Sequence, residues 1–150
     1  MTRCGTRAEE GSLRAVKRRA WAWAPTVAWA LLLFVMSSIP GQALPPLGGS
    51  FFGIDTDKLV HGSVYAVLGA LIWRSLRLTR PLLSPPRAVL IAAAAAALYG
   101  VTDELHQLFT LQRSADWRDA VADGAGGLAG AALGSAIGMC VSFATHRQER

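Results

Sequence analysis

Residues 21–39, WAWAPTVAWALLLFVMSSI, run for nineteen positions without a charged side chain. A helix rises about 1.5 Å per residue, so a run of this length crosses most of the roughly 30 Å hydrocarbon core of a bilayer. No water is present there to satisfy backbone amides and carbonyls, which leaves helices and closed barrels as the only spanning forms. The run is long for the apolar core of a secretory signal, and SSIPGQA is a mediocre cleavage sequence, so a retained helix is expected. Trp21 and Trp23 lie at its basic end, where aromatic belts form, and Pro25 falls in the first turns, where a missing amide costs least.

Three more apolar runs follow. The second, Leu59 to Trp73, is short and contains His61 and Tyr65. The third starts behind Pro85 and Pro86, runs from Arg87 through AVLIAAAAAALYGV, and is expected to continue as helix into TDELHQLF. The fourth spans Ala120 to about Ala144 and is broken only by Asp123. The expected fold is therefore all-α, a polytopic membrane protein with a four-transmembrane-helix bundle. Residues 1–20 form a basic tail, 21–145 the membrane domain and 146–150 a short second tail.

Charge sets the expected orientation. Only 17% of residues are charged, against about a quarter in soluble domains. Residues 1–20 and 74–87 each carry a net +4, while 40–58 and 102–119 carry −1 and −2. Positive segments stay on the cytoplasmic side, so both termini are expected inside. The two basic clusters flank apolar runs and do not form one recognition surface, which removes nucleic acid as a partner. Cys4 and Cys140 form neither a metal pair nor a disulfide framework.

In that topology Asp57, His61, Asp103, Glu104, His106, Arg113, Asp116, Asp119 and Asp123 all fall at the extracytoplasmic face. Asp57, His61 and Tyr65 recur every four residues and share one helix face; Asp103, His106 and Gln107 do the same, as do Asp119 and Asp123. Charge inside a span is costly, so His61 and Asp123 are expected to face the bundle interior. Asp57 also suits a helix N-cap, and Asp116 and Arg118 read as solvated loop residues. The carboxylates and histidines fit either a divalent metal or acid–base work on a lipid head group, and DELHQ is not the HExxH zinc motif. No cofactor is assigned. Arg113 suits an acid or a phosphate. Gly126, Gly130, Gly134 and Gly138 form a small-residue stripe for close helix packing, with the alanine-rich third helix as its natural partner; a homo-oligomer face is the alternative.

DKLVHGSVYAVLG followed by DELHQLFTLQRSADWRDAVADGAGGLAG resembles the VanZ-like family of small bacterial membrane proteins. The resemblance extends over about residues 21 to 140 and picks out Asp57, Lys58, His61, Tyr65, Asp103, Glu104, Gln107, Arg113, Asp119, Asp123 and Gly126. Two positions depart from the pattern: Asp123 stands where asparagine is usual, and Gln112 where a glycine often precedes the arginine. The resemblance implies a multi-pass protein of the bacterial cell membrane, in a family named for an association with resistance to the glycopeptide teicoplanin. The leading functional expectation is a polar site that binds or modifies an envelope lipid or cell-wall precursor head group. A metal-assisted lipid-modifying enzyme and a non-catalytic scaffold subunit are the alternatives.

Overall fold

The structure is a computed structural model that describes the backbone of residues 3–43, 49–51 and 54–148 and the side chains of 10–43, 49–50 and 55–140. Four long helices dominate it: α1 (Arg3–Ser37), α2 (Thr56–Thr79), α3 (Pro85–Gln107) and α4 (Trp117–Gln148). All four contain a stretch long and apolar enough to cross a membrane. Leu31, Val35, Leu90, Leu98, Leu133 and Ile137 are exposed on their outer faces, as lipid contact requires and water would penalise.

The helices run past the expected boundaries, for identifiable reasons. α1 begins well before residue 21, because nothing in RAEEGSLRAVKRRA breaks a helix. α2 is longer than Leu59–Trp73. The arginines of its last turns do not stop it: Arg74 donates to the Ala22 carbonyl and Arg77 to that of Leu83. α3 starts at Pro85, where the fixed φ of proline suits a first turn, and it continues to Gln107. α4 starts at Trp117 because the Asp116 carboxylate accepts a hydrogen bond from the Arg118 amide at 2.9 Å, an N-cap contact. A two-residue antiparallel pair, β1 (Ser50–Phe51) with β2 (Ile54–Asp55), precedes α2 and is the one departure from helix and loop among the described residues. Asp55, not Asp57, is the residue before α2, and its side chain makes no cap bond; Asp57 sits inside the first turn, where its charge favours the helix dipole.

α4 packs most extensively on α2 and next on α3, with α1 laid against α2. The glycine stripe explains the closeness. A side-chain carbon at Gly126 would overlap the backbone of Gly62, and one at Gly130 the carbonyl of Ala66; Gly134 and Gly138 lie against the Trp73 ring. The stripe therefore meets α2 and not α3. α3 is met by the offset glycines Gly124 and Gly127, which face Ala97 and Ala96. Polar bonds tie α1 to its neighbours: Ser75 donates to the Ala22 carbonyl at 2.8 Å, Trp29 to that of Val64 at 2.9 Å, and Tyr99 to that of Ala30 at 2.6 Å. Cys140 is free and exposed; the Cys4 side chain, residue 44–48 and 52–53 and the chain end at 149–150 lie outside the described residues.

Candidate functional site

The buried face of α3 changes character along its length. Ala88, Ala92 and Ala96 are wholly buried, Gly100 follows, and then the same face continues as Asp103, Glu104 and Gln107, all buried. α4 shows the reverse order from its start, with Asp119 and Asp123 preceding Gly127 and Ala131. On α2, Lys58 and His61 precede Tyr65, Leu68 and Ile72. Three faces thus turn from apolar to charged at one end of the bundle, the end where α1 finishes.

Glycine makes the convergence possible. A side-chain carbon at Gly100 would lie 2.8 Å from Cβ of Asp123, so only glycine leaves room for this acid against α3. Asp123 is fully buried, and its Oδ1 lies 3.1 Å from Nδ1 of His61. Its Oδ2 has no hydrogen-bond partner, nor has the buried hydroxyl of Tyr65 one turn deeper on the α2 face. Orphaned buried polar atoms are uncommon and costly.

Lys58 organises the outer part of the cluster. Its Nζ donates to Asp119 Oδ1 at 2.6 Å and to Asp116 Oδ2 at 3.3 Å. The pair with Asp119 is mostly shielded from solvent, which favours a strong charge-assisted bond. Asp116 is a partly exposed loop residue, as expected, but it is also tied to the cluster. Its amide donates to Glu104 Oε2 at 2.8 Å, tying the loop to α3, and the Arg118 amide donating to its carboxylate, with Lys58 beside it, holds that group below the usual carboxylate range. Gln107 reaches Asp103 and Glu104, both at 3.5 Å. Two groups of possible ligands share His61: Asp57, His61 and Asp119, and His61, Glu104 and Asp123, with donor atoms within 4.8 Å in each.

A family model described as VanZ/LLP1 matches residues 22–138. The chain belongs to the VanZ/LLP1 family. Searches of curated proteins and of solved structures return no match. In this VanZ/LLP1 chain the structure brings Asp57, His61, Glu104, Asp119 and Asp123 to one place, with Asp103 and Gln107 on the adjoining face of α3.

Two expected members sit elsewhere. His106 stacks beside Phe34, with ring centroids 4.6 Å apart, and its Nε2 lies 3.0 Å from the Ser38 hydroxyl. Arg113 donates to the carbonyls of Met36 and Ile39 at 3.2 and 3.3 Å, satisfying the open end of α1. Both were placed near the acids by their position in the chain, but each is used to dock α1. Lys58 is the converse case. The resemblance picked it out, and its spacing of three residues before His61, on the same face of α2, is the signal in the sequence that could have placed it in the cluster.

Proposed function

We propose that this VanZ/LLP1 protein sits in the bacterial cell membrane with both termini in the cytoplasm and uses the cluster to bind or modify the head group of an envelope lipid or cell-wall precursor lipid. Residues 21–145 form the membrane domain, with 1–20 and 146–150 as cytoplasmic tails. The observation that carries the reading is the convergence of three buried helix faces, each turning charged at the same end. A bundle that needed only packing would continue its alanine and glycine faces to the end, since every buried charge costs free energy unless paired.

The charge of the cluster narrows the ligand. Asp57, Asp103, Glu104, Asp116, Asp119 and Asp123 outnumber Lys58 and His61, and Arg113 is engaged with α1. Hydroxyl and amine groups of a head group suit these acceptors directly. A bare phosphate does not. A scaffold role is the second reading, favoured by the structural use of His106, Arg113 and Lys58.

The test is binding of a labelled polyprenyl-pyrophosphate-linked cell-wall precursor to the protein in nanodiscs, against plain phospholipid as control. His61→Ala, Glu104→Gln and Asp103→Asn should each lower binding while helix content and melting temperature stay near the parent's. Equal binding by all three and the parent, or no preference over phospholipid, rejects the head-group reading. Loss of melting temperature with binding unchanged per folded molecule supports the scaffold.

A further inference from the structure

We infer that His61, Glu104 and Asp123 form a binding site for a divalent first-row metal ion, of the class of Mn2+ or Zn2+. The inference rests on the reading of this cluster as the functional site and names what completes it. One imidazole nitrogen and two carboxylates come from three different helices, and their donor atoms lie within 4.8 Å of one another. Two donors bound to one such ion at about 2.0–2.2 Å each are at most about 4.4 Å apart, so an adjustment of about half an ångström closes the set. The 3.1 Å separation of His61 Nδ1 and Asp123 Oδ1 suits neighbouring ligands of one ion as well as it suits a hydrogen bond.

A second observation points to a ligand independently of the acids. Asp123 is fully buried, yet its Oδ2 has no partner, although it is packed against α3 by the absence of a side chain at Gly100. No side chain or backbone group of the described residues satisfies that oxygen, and a cation bound by the carboxylate would do so. The donor set also has a ready outer shell, with the Asp116 amide on Glu104 Oε2 at 2.8 Å and Gln107 beside Glu104 at 3.5 Å. Such partners fix the orientation of ligating carboxylates.

The other group, Asp57, His61 and Asp119, is the poorer site. Lys58 Nζ already holds Asp119 at 2.6 Å, and its positive charge opposes a metal ion at that position. Imidazole with carboxylates favours a transition ion over Mg2+ or Ca2+, which take all-oxygen sets. Three protein ligands leave a coordination position open. An ion there also supplies the positive charge that a phosphate in a head group needs and that this acidic cluster lacks.

The test uses the full chain in detergent, stripped with EDTA, and titrated with Mn2+ by electron paramagnetic resonance and with Zn2+ by calorimetry. One ion per chain is expected, removable by EDTA. Glu104→Gln and Asp123→Asn keep shape and should each weaken binding about tenfold or more, while Cys140→Ser, at an exposed position outside the cluster, should leave it unchanged. No binding of either ion by the parent overturns the inference, as does binding that neither substitution weakens. The precursor assay separates the two claims: precursor bound equally before and after EDTA by a protein that takes up no ion overturns the metal site and leaves the head-group reading standing. An ion bound through these residues without precursor capture supports the metal site and rejects the head-group reading.

Discussion

A single backbone angle makes one departure of this chain from the resembled pattern costly. Gln112, where the VanZ-like pattern often has glycine, has φ of 56°, the left-handed conformation that a side chain disfavours. The loop is held there by contact with the other connection, for Gly41 donates to the Leu111 carbonyl at 3.2 Å and a side chain on Gly41 would overlap the Gln112 carbonyl oxygen. A non-glycine residue in this conformation costs about 1–2 kcal/mol, and glycine returns about 0.4–1 kcal/mol through the greater freedom of the unfolded chain. Gln112→Gly should therefore raise stability by about 0.5–1 kcal/mol, read as a higher melting temperature in detergent with precursor binding unchanged. A lower melting temperature would show that the side chain of Gln112 contributes more than its backbone strain removes. At this scale the sequence was partly legible. Helical spacing sets Asp119 with Asp123, and His61 with Asp57 and Tyr65, each on one face of its helix, and the expected topology puts these faces at the level of the α3 acids. It does not fix what lies opposite, so the docking of His106 and Arg113 on α1 and the bond of Lys58 to Asp119 appear only once the helices are packed.

Among the elements, α4 depends most on small residues. Gly126 and Gly130 let its backbone touch that of α2 at Gly62 and Ala66, a contact between main chains that no rotamer change can relieve. Gly130→Leu should cost stability near the upper end of the usual overpacking range of about 1–3 kcal/mol. Ala132→Leu, on the exposed side of the same helix, should cost little. Melting curves in detergent check this, and equal melting of the two variants would place the stripe outside any tight contact. The existence of four long helices and the continuation of α3 to Gln107 could be read from charge-free runs and from unbroken spacing. Their partners could not. Alanines on α3 looked the better match for the stripe, yet α2 carries Gly62, Ala66 and Gly69 at the complementary positions, and a side chain on Gly69 would overlap the Gly127 carbonyl. The short pair of Ser50–Phe51 with Ile54–Asp55 had no apolar alternation to announce it; the amide and the hydroxyl of Thr56 both donate to the Gly49 carbonyl and hold its base.

For the whole molecule, the polar cluster and the basic segments lie at opposite ends of the bundle. Lys58, His61, Glu104 and Asp123 gather where α1 ends, whereas Arg14, Arg18, Arg19, Arg74, Arg77, Arg80 and Arg87 lie near the other end. If the basic end lies in the cytoplasm, as the positive-inside rule expects, the cluster faces the envelope, which is the orientation the proposed function requires. The proposed function stands on that orientation, because a cluster facing the cytoplasm would meet a different set of lipids. Accessibility of single cysteines, introduced after Cys4→Ser and Cys140→Ser, measures it directly. Gln112→Cys lies in the α3–α4 loop beside the cluster and Thr79→Cys at the last turn of α2. With a membrane-impermeant thiol reagent on intact cells, the cysteine at 112 should be labelled, and the one at 79 only after lysis. Labelling at 79 from outside, with 112 protected until lysis, would contradict the orientation and the head-group reading together.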